Sequence, residues 1–170
     1  MEYVMKICLL GDGAVGKTSL VYRFIENRFS TDFKSTLGVN LLKRKVNVDD
    51  STVSVQIWDL GGQEAYKKLR KLYLEGSQGG LVVFDITNRS SFENLNDWVT
   101  SFKESQPDAP MVLIGNKIDL VDQKKVNDDE AKQYATKNNM KYLSTSAKTG
   151  EKVEDAFKSL IRQVLESNQE

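Results

Sequence analysis

The most constraining feature of the sequence is a glycine-rich segment, GDGAVGKTS, that directly follows the apolar run VMKICLL at residues 4–10. Gly11, Gly16, Lys17 and Thr18 match the pattern G-x-x-x-x-G-K-[ST] completely. The motif lies between a predicted strand and a predicted helix, which is the context that a phosphate-binding loop requires. A glycine-rich turn that matches by chance is the alternative, and the flanking strand and helix make it the weaker explanation.

This spacing has a chemical reason. Glycines, including Gly13 inside the loop, let several backbone N–H groups point at one anion and let a phosphate approach closely. Lys17 can reach the outer phosphates, and the Thr18 hydroxyl can ligand Mg²⁺. The following helix directs the positive end of its dipole at the anion. The segment therefore predicts a nucleoside triphosphate site, but it leaves the base and the phosphate acceptor open.

Apolar runs typical of strands alternate with amphipathic helical patterns along the chain. In the last helical pattern, apolar residues from Val153 to Leu165 recur at i, i+3, i+4 and i+7. The same spacing predicts one continuous third helix containing Phe92, Leu95, Val99 and Phe102. The predicted strands are 4–10, 41–48 and 53–59 as a hairpin around 49–51, then 80–86, 111–116 and 140–146.

The alternation predicts the fold class. Strands that alternate with helices favour an α/β fold, in which a mainly parallel sheet carries helices on both faces. The runs at 80–86 and 111–116 are almost continuously apolar, as expected for strands covered on both faces. In such a sheet the ligand lies beyond the carboxyl ends of the strands, so each further motif should follow a strand.

Composition narrows the classes of function. Lysine plus arginine equals aspartate plus glutamate, 24 each, so no net positive charge favours nucleic acid and we expect no nucleic-acid partner. There is no histidine, which excludes histidine bases and histidine metal ligands. The single cysteine, Cys8, lies in the first apolar run and is expected to be a buried small hydrophobe.

The sequence gives no sign of a membrane-spanning segment. No apolar stretch reaches the roughly 20 residues that span a bilayer, and the N-terminus MEYVMK is not typical of a signal peptide. We therefore expect a cytoplasmic chain without direct membrane insertion. A lipidated tail outside the given sequence would make the protein peripheral at membranes.

The segment IGNKIDL places Asn116, Lys117 and Asp119 at the end of the fifth predicted strand. The Asp119 carboxylate can accept hydrogen bonds from the ring N–H and the 2-amino group of guanine, whereas adenine has no such donor pair. Alone, these residues would often form a polar loop with a helix cap. After the sixth strand, the segment STSAKTG could donate a backbone N–H near Ala147 to the guanine carbonyl and cover the base with the Lys148 stem.

With these motifs in order, the chain resembles the Ras superfamily of small GTPases over nearly all of its length. The resemblance rests on GDGAVGKT, the threonine in STLGV, WDLGGQE, NKID and SAK. It implies a three-layer P-loop NTPase fold, with a mostly parallel six-stranded sheet, one antiparallel edge strand and a single G domain over residues 1–170. It also implies that GTP or GDP binds together with Mg²⁺.

The resemblance assigns roles in two switch segments. Thr36 resembles the threonine that ligands Mg²⁺ and senses the γ-phosphate, with a loop threonine before an edge strand as the alternative. Phe29 resembles the aromatic residue that packs edge-on to guanine, with a core residue at a helix end as the alternative. Asp59 resembles the aspartate that holds Mg²⁺ through water, Gly62 the glycine that contacts the γ-phosphate, and Gln63 the glutamine that orients the attacking water.

Carried over residue by residue, the resemblance predicts three overlapping sets of site residues. The predicted catalytic residues are Gln63, Lys17 and Thr36, and the predicted metal ligands are Thr18, Thr36 and Asp59. The predicted nucleotide contacts are Gly13, Ala14, Val15, Gly16, Lys17, Thr18, Ser19, Phe29, Thr36, Gly62, Asn116, Lys117, Asp119, Ser146, Ala147 and Lys148.

Most of the motifs resemble the Rab branch, including TLGVN, Trp58 before the aspartate, and Tyr73 with VVFDIT downstream. Leu60 and Gly61 differ, because they give the second switch motif an Arf-like sequence. The adjacent Gly61 and Gly62 loosen the backbone, so ordering this loop should cost more entropy.

The resemblance implies slow GTP hydrolysis, because Lys34 and Ser35 precede Thr36 and no arginine held in cis is apparent. It implies effector proteins, a guanine-nucleotide exchange factor and a GTPase-activating protein that supplies the missing charge, and we expect a monomer. Two other classes are a GTP-binding scaffold with negligible turnover and a P-loop kinase or ATPase. Gln63 and Thr36 argue against the scaffold, and NKID argues against an adenine nucleotide.

The segment AYKKLRKLYLEG, after the second switch motif, carries Lys67, Lys68, Arg70 and Lys71. A solvated helix face and a partner-binding surface that the nucleotide reshapes are equally good interpretations of these charges. The lysines of LLKRKVNV at 41–48 are expected to prevent pairing at a sheet edge.

Overall fold

The structure is a computed structural model that describes residues 2–27, 39–61 and 64–168, without the side chains of 64–66. Six strands form one sheet in the order β2-β3-β1-β4-β5-β6. Only the β2–β3 pair within this sheet is antiparallel. The strands are β1 (Glu2–Leu10), β2 (Val39–Val48), β3 (Ser51–Leu60), β4 (Gly79–Asp85), β5 (Met111–Asn116) and β6 (Lys141–Thr145).

Helices cover both faces of the sheet, so the predicted α/β architecture is confirmed. They are α1 (Lys17–Glu26), α2 (Arg70–Leu74), α3 (Arg89–Glu93), α4 (Leu95–Ser105), α5 (Asp128–Lys137) and α6 (Val153–Asn168), with 3₁₀ turns at Glu64–Leu69 and Val121–Gln123. On one face, α1 and α6 pack together through stacked Phe24 and Phe157 rings, whose centroids lie 4.1 Å apart. On the other face, Trp98 and Phe102 of α4 are buried against β4.

The predicted hairpin forms the edge of the sheet. β2 and β3 pair from Val39 opposite Leu60 to Val48 opposite Ser51, and Asp49 in the turn has a φ of 53°. Along β2 the side chains alternate between buried or half-buried and exposed positions, and the lysines at 43 and 45 are exposed. Exposed lysines on an edge strand oppose pairing with another chain, as the sequence predicted.

The prediction of one continuous helix from the third helical pattern is wrong. The pattern predicts one helix, whereas α3 and α4 are separate and meet at Asn94. The Asn94 side chain donates to the Asp12 carboxylate at 2.7 Å. Because Leu95 and Phe102 keep their buried positions and Phe92 packs on the same cluster, the apolar spacing continues across the break and could not reveal it.

Cys8 is buried, as predicted, and its thiol lies 2.8 Å from the Ser77 hydroxyl. Burial raises the pKa of the Cys8 thiol to about 11, so the reactive thiolate is not populated near neutral pH. Among the helices in the described ranges, none has the length and apolar character needed to cross a bilayer.

Candidate functional site

The glycine-rich segment connects β1 to α1 at the carboxyl edge of the sheet. Gly16 has a φ of 98°, which favours glycine, and a Cβ there would collide with the side-chain amide of Asn116. A Cβ on Gly11 would likewise collide with the Val83 carbonyl. The first turn of α1, all of which the structure describes, has neither an acidic residue nor a side-chain cap. Its N–H groups can therefore bind an anion.

Lys17, the first residue of α1, is 5% exposed and turns back over the loop. Its Nζ donates to the carbonyls of Gly11 at 2.6 Å and Asp12 at 2.7 Å. Burial lowers the pKa of Lys17 to about 8, although the charges of Asp59 and Asp12 oppose that shift. A phosphate near the Lys17 ammonium would supply negative charge to this poorly solvated cation.

Thr18 and Asp59 bring two hard oxygen donors together beside the loop. The Thr18 hydroxyl donates to Asp59 Oδ2 at 2.6 Å, and Asp59 is fully buried near the end of β3. Mg²⁺ prefers oxygen ligands and is usually held by one or two protein groups together with substrate phosphates. This donor pair therefore fits Mg²⁺ in chemical type.

Asn116, at the end of β5, connects the phosphate loop to the loop after β6. Its Nδ2 donates to the Val15 carbonyl at 3.0 Å. Its Oδ1 accepts from the Thr145 hydroxyl at 3.0 Å and the Ala147 N–H at 3.3 Å. Since Asn116 is only 1% exposed, these bonds fix the relative position of three segments that are distant in sequence.

Lys117 and Asp119 are held by different partners. Lys117 Nζ donates to the Ala14 carbonyl at 2.9 Å and lies 2.8 Å from the Asp85 carboxylate, so the lysine stem crosses from β5 to the phosphate loop. Asp119 Oδ1 accepts from the Ser146 hydroxyl at 2.7 Å. The structure thus brings together the NKID and SAK motifs, which are separated by 27 residues at this contact.

The other predicted site residues fall into two groups. Gly13 and Ala14 are exposed in the loop, Ser19 is half-buried in the first turn of α1, and Lys148 is exposed after β6. Phe29, Thr36, Gly62 and Gln63 lie outside the described residues.

Asp12, inside the glycine-rich motif, has a role that the sequence analysis missed. Its carboxylate accepts from the Trp98 indole N–H at 2.8 Å and from Asn94 at 2.7 Å. These bonds attach the phosphate loop to α4. A carboxylate beside a phosphate site is unfavourable unless it is paired. An aspartate inside the glycine-rich motif is therefore a sequence signal for a hydrogen-bond donor elsewhere in the chain.

Arg70 corrects the interpretation of the cationic segment. It is 6% exposed, its Nη1 donates to Asp97 at 2.8 Å, and its Cζ lies 3.5 Å from the centroid of the Trp98 ring. Lys67 also pairs with Asp97, at 3.2 Å. Lys67, Lys68 and Lys71 are exposed. Arg70 by contrast is buried and belongs to the packing between α2 and α4, not to a solvated or partner-binding face.

Comparison with protein families matches residues 6–166 to the Ras family. The chain is 40% identical over 165 residues to Ras-related protein Rab-2B of Dictyostelium discoideum, covering 96% of this chain and 82% of that protein. It is 37% identical over 165 residues to GTP-binding protein ypt3 of Schizosaccharomyces pombe, covering 96% and 77%. Against Ras-related protein Rab-8B of Homo sapiens the identity is 37% over 165 residues, covering 96% and 80%.

The family match spans most of the chain, and the relatives that carry Rab names align with nearly all of it. The sheet order and the strand–loop–helix at the phosphate site agree with that match. The chain belongs to the Ras family, as a Rab-like small GTPase that binds guanine nucleotide, hydrolyses GTP and acts as a nucleotide-dependent switch.

Proposed function

We propose that the nucleotide lies across the carboxyl edge of the sheet, with its phosphates at the N-terminus of α1 and its base between the loops after β5 and β6. The observation that carries this proposal is the buried Asn116 amide. It is bonded to the Val15 carbonyl of the phosphate loop, to Thr145 at the end of β6, and to Ala147 in the loop after β6. A group in this position holds both halves of a nucleotide site at a fixed separation.

At the base end, Asp119 would accept from the ring N–H and the 2-amino group of guanine. The Ser146 hydroxyl, which donates to Asp119 at 2.7 Å, holds one carboxylate oxygen in place. The Ala147 N–H would donate to the guanine carbonyl, and its present contact with Asn116 at 3.3 Å is long enough to be exchanged. The aliphatic stems of Lys117 and Lys148 would pack on the faces of the base, and Phe29 would contact its edge.

At the phosphate end, the backbone N–H groups of the loop and of the first turn of α1 would bind the phosphates. Lys17 would exchange its two loop carbonyls for phosphate oxygens. Thr18, Asp59 and Thr36 would hold Mg²⁺, which when bound would neutralise charge on the β- and γ-phosphates. The remaining proposed nucleotide contacts are Gly13, Ala14, Val15, Gly16, Ser19 and Gly62.

Hydrolysis in this proposal depends on position and charge. Gln63 would orient the attacking water, Gly62 would contact the γ-phosphate, and Lys17 would stabilise charge that develops on the phosphoryl oxygens. Arg70 is engaged with Asp97 and Trp98. We therefore expect slow hydrolysis by the chain alone and faster hydrolysis when an activating partner supplies an arginine.

The role of Gln63 is tested by single-turnover hydrolysis of preloaded GTP. Gln63→Leu should slow hydrolysis by about 10- to 100-fold, because the water loses its orienting group. Gln133→Leu, the same substitution at an exposed position of α5, should leave the rate unchanged. Equal rates for Gln63→Leu and the unaltered chain would contradict the catalytic role of Gln63.

We place this switch in membrane trafficking, on the basis of its Rab-named relatives. The chain would act as a monomeric single G domain over residues 1–170, in the cytoplasm or peripherally at membranes. Its effectors, exchange factor and activating protein would distinguish the GTP and GDP states. Protein loaded with a non-hydrolysable GTP analogue should retain effectors that GDP-loaded protein does not, and equal retention in both states would contradict the switch role.

A further inference from the structure

Arg23, near the end of α1, contacts the loop that follows β6. Its Nε donates to the Ala147 carbonyl at 2.8 Å, and its Nη2 donates to the Lys148 carbonyl. Its Nη1 lies 3.3 Å from the side-chain oxygen of Asn27 and 3.4 Å from the Asn27 carbonyl. Because a guanidinium is planar and rigid, these bonds fix the directions of two successive loop carbonyls.

The loop that Arg23 holds is a tight turn. The Gly150 N–H donates to the Ser146 carbonyl at 2.8 Å, and the Ser146 N–H donates to the Glu151 carbonyl at 3.1 Å. Gly150 has a φ of 87°, and a Cβ there would lie 3.5 Å from Arg23 Cδ. The turn therefore packs directly on the Arg23 side chain, which supports it from the side of α1.

Peptide geometry transmits this contact to the base-recognition carboxylate. The Lys148 carbonyl and the Thr149 N–H belong to one planar trans peptide, so they point in opposite directions. Arg23 binds the carbonyl, while the Thr149 N–H donates to Ser146 Oγ at 3.0 Å. Ser146 Oγ in turn donates to Asp119 Oδ1 at 2.7 Å. The orientation of the Lys148–Thr149 peptide thus controls where the Ser146 hydroxyl lies.

We propose that Arg23 is a positioning residue for guanine recognition, which orients Asp119 through Thr149 and Ser146 and so prolongs the residence of bound nucleotide. This inference rests on the proposed contact between Asp119 and the base. The Arg23 guanidinium donates to the backbone carbonyls of Ala147 and Lys148, so it would act on the base through this loop. Its contribution differs from simple loop support, because it should favour nucleotides that carry the 2-amino group that Asp119 binds.

The test measures dissociation of ribose-labelled fluorescent GDP and of the matching inosine diphosphate, which lacks the 2-amino group. Arg23→Gln should release GDP about tenfold faster, because charge-assisted hydrogen bonds to the loop are lost. Release of inosine diphosphate should change by less than about threefold. The ratio of the inosine diphosphate release rate to the GDP release rate should therefore fall. Arg23→Lys, which keeps the charge but can reach only one carbonyl well, should give an intermediate rate.

Arg162→Gln is the matched control, because Arg162 of α6 pairs with the exposed Asp49 and should leave both rates unchanged. Thermal unfolding in saturating GDP verifies that each variant is folded. Unchanged GDP release in Arg23→Gln would overturn the inference. Equal acceleration of GDP and inosine diphosphate would also overturn it, since that result would make Arg23 a support for the loop alone.

Asp119→Asn separates this inference from the proposed base recognition. If Asp119→Asn removes the preference for GDP over inosine diphosphate while Arg23→Gln does not, only the inference about Arg23 fails. If Asp119→Asn leaves that preference intact, the contact between Asp119 and guanine is wrong, and the inference fails with it.

Discussion

At the proposed base end of the site, the candidate recognition groups are bonded to other parts of the chain. The Asn116 side chain makes three hydrogen bonds to two other segments, and Asp119 is held by the Ser146 hydroxyl. At the phosphate end, Lys17 donates instead to carbonyls of its own loop, and Thr18 donates to Asp59. In the proposed nucleotide position, binding at the base end would keep most of these bonds, whereas binding at the phosphate end would exchange them.

This difference suggests that the two ends of the site have different roles, one in nucleotide affinity and the other in the conformational response to the nucleotide. Groups that are fixed before binding lose little entropy when the ligand arrives, so they favour tight and specific binding. Groups that change partners differ between the liganded states, and only such differences can make a ligand shift a conformational equilibrium. We therefore expect substitutions at the base end to change which nucleotide binds, and substitutions at the phosphate end to change how the protein responds.

The largest expected effect is at Asp119, on the base side. Asp119→Asn should lower GDP affinity by about 10³-fold, because the carboxylate that we propose accepts two guanine donors becomes a carboxamide. The same variant should gain affinity for xanthosine diphosphate, whose 2-carbonyl can accept from the new amide. Displacement of a fluorescent nucleotide measures both affinities.

Asp122→Asn is the control for this substitution, since Asp122 is exposed in the neighbouring 3₁₀ turn and should retain normal GDP affinity. If the GDP affinity of Asp119→Asn stays within about threefold of that of the unaltered chain, Asp119 does not determine nucleotide specificity at the base end.

The second effect concerns the support beneath the phosphate loop. Arg70→Ala should lower the free energy of unfolding by about 2–3 kcal/mol, because a buried guanidinium loses its bond to Asp97 and its contact with the Trp98 ring. Arg162→Ala, which removes an exposed ion pair, should cost less than about 1 kcal/mol. Urea unfolding at equal, saturating GDP measures the difference.

Equal costs for the two arginine substitutions would mean that the packing of α2 on α4 contributes no special stability. The attachment of the phosphate loop to α4 through Asp12 would then depend on the Trp98 and Asn94 bonds alone.

The smallest effect is a pH dependence from Lys17. Burial lowers the pKa of Lys17 to about 8, and a bound phosphate should raise it because the anion favours the ammonium form. Above pH 8, nucleotide binding must therefore take up a proton, and affinity should fall by at most about tenfold per pH unit. Well below pH 8, where Lys17 is protonated with or without nucleotide, this lysine should contribute no pH dependence.

Calorimetry of GDP binding at pH 9 and pH 7.5, in buffers of different ionisation enthalpy, measures this proton uptake. Lys17→Met should take up fewer protons at pH 9 than the unaltered chain does. The nucleotide is the same for both proteins, so the difference in proton uptake belongs to Lys17. A flat affinity from pH 7.5 to 9 in the unaltered chain would contradict a lowered pKa of Lys17 and weaken the contrast between the two ends.

Much of the fold could be predicted because its signals are local. The strand at 111–116 agrees with the structure at both ends, since a continuously apolar run is bounded by polar and proline-containing segments. The division at Asn94 could not be predicted from apolar spacing, because the residues on both sides of it pack against one cluster. The partner that holds the Asn94 side chain, Asp12, is 82 residues away in the sequence.

The candidate site divides in the same way. The position of Lys17, Thr18 and Asn116 at the carboxyl edge of the sheet could be predicted, because each belongs to a short motif in which the backbone itself sets the spacing. Arg23 and Arg70 could not, because their partners come from other elements. In the sequence, Arg70 lies among lysines and resembles a surface charge. Only the folded structure shows that it contacts Trp98 and Asp97.

The sequence by itself determined the nucleotide class, the family and the order of strands and helices, because contiguous motifs and apolar periodicity depend on neighbouring residues. The tertiary structure alone decided that Asp12 attaches the phosphate loop to α4, that Arg70 is buried, and that Arg23 holds the loop after β6. Those contacts join residues 27 to 124 positions apart, and packing of the sheet and its helices is what brings such residues within hydrogen-bond distance.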